Sequence, residues 1–382
     1  MVPPDHAAPP LDVDRILADP GVRIVVCCGA GGVGKTTTAA ALALRAAERH
    51  GRRTVVLTID PARRLAQSLG LTELDNTPRQ VKGIEVEASG GELHAMMLDM
   101  KRTFDEVVLA HTDTDKAAEI FANPFYQAMS STFAGTQEYM AMEKLGQLHA
   151  GGEWDLIVVD TPPSRSALDF LDAPARLARF LDGRMLRLLL APARAGGRSM
   201  FSLVTASFGV FSRAVQKILG AQLLSDLSGF VAALDSMFGG FRQRAEQTYR
   251  VLQADETAFL LVAAPEPDAV REAAYFAGRL GAERMPLAGL VLNRVHEPAV
   301  PGLSAERSLS AAQELDRDGG HPATAGVLRV HAAVAQQSAR ERRVAAMFTD
   351  AFPQVPVATV RAQPADVHDI DGLRTIGHAV AG

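Results

Sequence analysis

Gly29-Ala30-Gly31-Gly32-Val33-Gly34-Lys35-Thr36 decides how this chain reads. The stretch fits G-x-x-x-x-G-K-[ST], a loop whose backbone N–H groups wrap the phosphates of a nucleotide. Val22 to Cys28, just before it, is short, apolar and rich in β-branched residues, the pattern of a buried strand. Lys35 to His50, just after it, is alanine-rich, carries Leu42 and Leu44, and stops at Gly51, which predicts a helix with a glycine cap. Strand, glycine loop and helix together aim N–H groups and the positive helix end at an anion. An ordinary glycine-rich turn would not need Lys-Thr in register between a strand and a helix. The expected nucleotide contacts are Gly29, Gly31, Gly32, Val33, Gly34, Lys35, Thr36 and Thr37. Lys35 is expected on the β- and γ-phosphates of ATP, and the Thr36 hydroxyl on Mg²⁺.

Two further strands end in an acid. Trp154 to Asp160 carries Leu-Ile-Val-Val before Asp160, which is expected to hold the Mg²⁺ ion with Thr36. Thr54 to Asp60 ends in Asp60, ahead of Pro61-Ala62-Arg63-Arg64. Carboxylates at the carboxyl ends of strands face the ligand crevice of an open parallel sheet. Either acid alone reads more simply as a cap or turn residue; three such motifs in one order favour a site. The fold class expected is α/β, a doubly wound, mostly parallel sheet with an inserted helical part.

These residues resemble those of the arsenite-transporting and tail-anchored-protein-targeting ATPases. The loop is similar to that family's K-G-G-V-G-K-[ST], Asp60-Pro61-Ala62 to its first switch, and Asp160-Thr161-Pro162-Pro163-Ser164 to its second. Gly135-Thr136-Gln137-Glu138, Pro265 to Val270 and Leu292-Asn293-Arg294-Val295 also match its later elements. The resemblance implies an ATPase that works as a dimeric switch. It implies Asp60 as the residue orienting the attacking water, with Lys35 on the transferred phosphate. It also implies Asn293 as an adenine contact, with the loop at Pro364 packing nearby.

The departures are as informative. The family's additional lysine, which crosses to the partner's phosphates, falls on position 30, and Ala30 stands there. Three readings follow: a heterodimer with a lysine-bearing paralogue, a homodimer in which Arg63, Arg64 or Arg165 substitutes, or a slow ATPase that uses nucleotide to change shape. Metalloid-binding cysteines have no counterpart, since Cys27 and Cys28 are the only two and lie side by side in the first strand, where they read as core. A C-x-x-C zinc pair is missing as well. Arg165-Ser166 replaces the Gly-His of the second switch.

Composition sets outer limits. The chain has 382 residues, 47% of them apolar, and a net charge of −5 without a long basic cluster, which disfavours nucleic acid as a partner. Met1 to Asp5 has no basic or apolar leader pattern, and no apolar run approaches the about 18 residues needed to span a bilayer. A cytoplasmic protein without stable membrane insertion is expected. The whole chain, 1–382, is expected to be one nucleotide-binding domain, with residues 1–10 a loose tail and helical insertions at about 101–150 and 175–255. Strands are expected at Gly83–Ala88, Glu92–Asp99 and 287–293, a polar excursion at Pro301–Thr324, and a last strand near Val357–Val360. The insertion from Met200 to Phe241 is rich in Met and Phe. It reads as helical core with a dimer contact, or as a groove for a hydrophobic client.

Two other classes make different demands on the sequence. A partitioning-type ATPase would call for DNA-binding charge or a basic amphipathic anchor, which Asp369–Gly382 does not supply. A non-catalytic nucleotide-binding subunit would share the loop yet be indifferent to Asp60.

Overall fold

The computed structural model describes residues 8–60, 64–85, 90–124, 126–127, 136–162 and 243–382. Residues 1–7 of the expected tail, Pro61–Arg63, Gly135, the second switch from Pro163 onward (with Arg165), and the Met- and Phe-rich stretch to Phe241 lie outside the described residues.

In chain order the elements are α1 (Val13–Ala18), β1 (Ile24–Cys28), α2 (Lys35–His50), β2 (Arg53–Thr58), α3 (Arg64–Ser68), β3 (Arg79–Gln80), β4 (Glu92–Met97), α4 (Met100–His111), α5 (Thr114–Ala122), α6 (Thr136–Gly151) and β5 (Leu156–Asp160). After them come β6 (Thr257–Ala263), α7 (Pro267–Ala282), β7 (Leu287–Val295), α8 (Ala305–Asp318), α9 (Pro322–Ala351), β8 (Val357–Arg361) and α10 (Ile370–Ala381).

The strands form one eight-stranded sheet in the order β3-β4-β2-β5-β1-β6-β7-β8. Every pairing is parallel except the two-residue β3 against β4. β1, β5 and β6 are buried along their whole length, as unbroken apolar strands covered on both faces should be. The chain leaves β1 toward β2 on one side and leaves β6 toward β7 and β8 on the other. The order therefore diverges at β1, and ligands of open α/β sheets bind at the carboxyl ends of the strands at such a point.

The helix after the loop is buried nearly all round: eleven of its residues, from Lys35 to Glu48, are buried. Alanine suits this position because small side chains let a helix lie close to the sheet and to α10. The α10 helix buries Leu373, Ile376 and Val380, and its Gly377 lies where a Cβ would meet Ala41 O at 3.3 Å. Gly51 ends α2 with φ 62° and returns its N–H to Ala46 O.

The chain divides into two compact units. One holds the sheet, from residues up to Met97, Leu148–Ala167 and Val251–Gly382. The other comprises Leu98–Gln147 and Leu168–Arg250. Its described residues are helical and pack on Phe104, Val108, Ile120, Met142 and a fully buried Tyr126. Tyr126 meets the rings of Phe104 and Phe121 at 5.4 and 5.6 Å and donates its hydroxyl to Asp105.

Two local expectations change. Gly83–Glu85 are not in a strand, and the partner of β4 on that side is Arg79–Gln80 instead. The polar stretch at Pro301–Thr324 holds a capped helix, α8, whose Ser304 side chain accepts Arg307 N–H and which Gly319 ends at φ 67°. The following α9 runs for 30 residues and packs back on α8 and α7. Among the described residues no helix is long and apolar enough to cross a membrane.

Candidate functional site

The loop at the carboxyl end of β1 is shaped by contacts that only glycine permits. Gly29 has φ 153°, and a Cβ there would stand 2.0 Å from Val262 O on the neighbouring β6. Gly34 caps α2 with φ 94°, and a Cβ there would stand 2.3 Å from the Asn293 amide nitrogen. Gly31 and Gly32 form the exposed crest, and Val33 tucks its side chain into the core beneath. Lys35 is 6% exposed and donates from Nζ to Ala30 O at 2.7 Å, so the ammonium spans the mouth of its own loop. Burial depresses its pKa, opposed first by the nearby Asp160 charge and more weakly by Asp60. Thr36 and Thr37 lie half-buried in the first turn of α2.

Asp160 ends β5 next to β1 and is fully buried. Its Oδ2 accepts two hydroxyls, Thr36 Oγ1 at 2.8 Å and Thr58 Oγ1 at 2.9 Å. Its Oδ1 is buried and has no hydrogen-bond partner. Burial pushes the carboxyl up to about 6; the two hydroxyls and Lys35 pull it the other way. A carboxylate oxygen orphaned in a buried site calls for a cation or donor. Hydroxyl and carboxylate are the hard oxygen donors Mg²⁺ takes, so Thr36 and Asp160 fit such an ion. Among the described residues no separate cluster of His, Cys, Asp or Glu is placed to hold a metal.

Asp60 follows β2, half-buried, with its N–H on Thr58 Oγ1 at 3.2 Å. Ile59 N–H donates to Asp160 O at 3.0 Å, which ties the two strand ends together. The charge of Asp60 raises the pKa of both Lys35 and Asp160, so the three groups share one electrostatic site.

Asn293 is 8% exposed and bonded to protein from both ends of its amide: Nδ2 donates to Val33 O at 2.9 Å, and Oδ1 accepts Arg294 N–H at 2.9 Å. It thus braces the phosphate loop, a contact the sequence did not foretell. Pro364 is exposed on the segment after β8, at the same edge of the sheet. Ala30 is buried at 9% exposure within the core on the α2 side. Of the three arginines considered as substitutes, Arg64 opens α3 and is exposed; Arg63 and Arg165 lie outside the described residues.

Two threonines join the site unannounced. Thr58 shares Asp160 Oδ2 with Thr36, and Thr161 donates both its hydroxyl and its N–H to Cys27 O, at 2.8 and 3.3 Å. Each lies within two residues of an acid already singled out, and Thr161 also stands in the second-switch motif. Cys27 and Cys28 are free, buried thiols; burial raises both, Cys28 to about 12. Neither is a ready thiolate.

Known proteins are similar to this chain in sequence. A family model described as anion-transporting ATPase matches residues 22–307, about three quarters of the chain. The chain is 28% identical over 177 residues to ATPase GET3 of Malassezia globosa, covering 46% of this chain and 50% of that protein. It is 29% identical over 161 residues to a putative arsenical pump-driving ATPase of Chlorobaculum tepidum, covering 41% and 37%. It is 31% identical over 171 residues to Protein Rv2184c of Mycobacterium tuberculosis, covering 42% and 39%. The chain spans half or less of the length of these curated relatives. On the match over residues 22–307, with the phosphate loop and both strand-end acids inside it, the chain belongs to the anion-transporting ATPase family.

Proposed function

We propose that this chain is a Mg²⁺-dependent ATPase that acts as a nucleotide-driven switch. The observation that carries this reading is the junction of Lys35, Thr36 and Asp160 with an unpartnered, buried Asp160 oxygen. The loop from Gly29 to Gly34 would present backbone N–H groups to the triphosphate. Lys35 would exchange Ala30 O for phosphate oxygens; a buried ammonium gains more from an anion than from one carbonyl. Thr36 and Asp160 would hold Mg²⁺, which when bound supplies charge neutralisation on the β- and γ-phosphates. Asp60 would orient the attacking water from the end of β2, beside Lys35. Asn293 keeps one amide hydrogen beyond its bond to Val33, and that hydrogen is the one we assign to adenine, with Pro364 beside it.

The finer reading is a dimer. With Ala30 in place of a crossing lysine, the chain would receive a lysine from a paralogous subunit and could not donate one. ATP binding would order the two switches and close the pair, and hydrolysis would release it. The helical part would then capture or release a client, a hydrophobic segment or membrane-protein partner. An arsenical cargo is disfavoured, because this chain's two cysteines are buried in β1. Buried, reduced thiols suit a cytoplasmic setting. The specific observation favouring a second reading, a weakly active or non-catalytic subunit, is again Ala30, whose side chain points into the core.

Calorimetric titration with Mg²⁺-ATP tests the first reading. Wild type should bind, and Lys35→Ala should weaken binding at least tenfold with the fold intact. Equal binding by both would remove the loop from the account.

A further inference from the structure

β7 and β8 keep register from Leu290↔Val357 to Leu292↔Thr359 and regain it at Val295↔Arg361. Three steps of β7 therefore span two of β8, which leaves one extra residue at Asn293–Arg294. Arg294 has φ 61° there, a left-handed conformation that a side chain disfavours and that persists only where the surroundings enforce it. Bulges of this kind re-aim a side chain beside a site. This one sends the Asn293 amide onto Val33 O of the phosphate loop, so close that Gly34 has no room for a Cβ.

What holds the bulge comes from outside the loop. Glu341 on α9 is 3% exposed, and its Oε2 accepts His296 N–H at 2.7 Å. Its Oε1 meets His296 Nδ1 at 2.7 Å and accepts Gln337 Nε2 at 2.9 Å. A buried carboxylate is costly unless such donors meet it. Here two of the three belong to the residue just past the bulge. Packing alone would be served by an apolar residue; the charge is spent on fixing that backbone.

We propose that Glu341, acting through His296 and the β7 bulge, is a positioning residue that sets Asn293 against Val33 and thereby the affinity of the phosphate loop for nucleotide. This rests on the nucleotide-binding reading above.

The test is a double-mutant cycle on the full chain, read as the Kd for Mg²⁺-ADP by calorimetry. Glu341→Ala should weaken binding about tenfold, the scale of a lost buried bond to a charged group. Glu341→Gln should stay within about threefold of wild type, because its amide oxygen still accepts the N–H while its NH₂ donates to the other imidazole tautomer and to a turned Gln337 amide. On an Asn293→Ala background, Glu341→Ala should add little, since both act through one contact. His296→Ala, whose side chain is 48% exposed, gives the same cycle with a smaller loss if Glu341→Ala does not fold. Losses that multiply with Asn293→Ala, or an unchanged Kd in both single variants, would overturn the proposal while leaving nucleotide binding in place. A wild type that binds no ADP would overturn the reading beneath it instead.

Discussion

Replacing Asp160 by Asn should make the nucleotide-free protein more stable at neutral pH, although it removes a residue central to the site. The carboxyl is fully buried with one oxygen unpartnered, and its pKa stands at about 6 against an ordinary 3.8. Between those two values the folded state keeps a proton that the unfolded state has lost, so stability falls as pH rises through the window. Two units amount to about 3 kcal/mol, fully exacted above pH 6 and nearly absent at pH 4. Asn removes that penalty at every pH and still accepts the hydroxyls of Thr36 and Thr58. Its NH₂ group, in the place of Oδ1, would lack an acceptor at a cost of about 1–2 kcal/mol. The net expectation is a gain of about 1–2 kcal/mol at pH 7.5, or about 1–3 °C in Tm, and a loss of similar size at pH 4. Scanning calorimetry of both proteins at the two pH values checks it. Adding Mg²⁺-ATP at pH 7.5 should reverse the order, because only wild type gains the full binding free energy. A variant destabilised equally at pH 4 and pH 7.5 would refute the idea of a strained, cation-seeking carboxylate.

Gly29→Ala should abolish nucleotide binding, since its Cβ would fall 2.0 Å from a main-chain oxygen of β6; binding within threefold of wild type by calorimetry would contradict that. Thr58→Val keeps the shape but takes one of two donors from Asp160. It should cost about 1–2 kcal/mol above pH 6 and clearly less at pH 4, measured by thermal melts. Asp14 is held down to about 2, first by its hydrogen bond to Arg45 and then by His50. That stabilisation is present above the ordinary carboxylate range and lost as pH falls toward 2. With Asp14 39% exposed, Asp14→Asn should cost only about 1 kcal/mol at pH 7, and the difference between the melts should shrink steadily from pH 5 to pH 2.

The parts of this molecule that were legible in the sequence are those written in contiguous residues. Gly29 to Thr36, the apolar runs of β1, β2 and β5, and the strand-end positions of Asp60 and Asp160 are written in local order. What escaped depends on pairs far apart in the chain. Thr58 meets Asp160 across 102 positions, and Asn293 meets Val33 across 260. The register shift that aims Asn293 has no glycine to announce it, because Arg294 takes the left-handed turn. The α8–α9 pair was hidden for another reason. Over its 30 residues α9 fully buries only Ala325, Ala332, Ser338, Glu341 and Phe348, too sparse an apolar set to register as a helical stripe. At two residues, β3 is too short to show alternation at all.

Single-turnover hydrolysis of Mg²⁺-ATP, with the chain in excess and nucleotide binding measured in parallel, tests the central claim most directly when wild type is set against Asp60→Asn. Asp60 follows β2 at the edge of the site, and Asn keeps the size and shape of its side chain, so the substitution should leave the cradle standing. The account predicts that the variant binds ATP within about threefold of wild type and loses hydrolysis by about a hundredfold or more. Hydrolysis at the wild-type rate in the variant, or a wild type that binds ATP and never cleaves it, would contradict the claim that this chain is an ATPase with Asp60 at its centre.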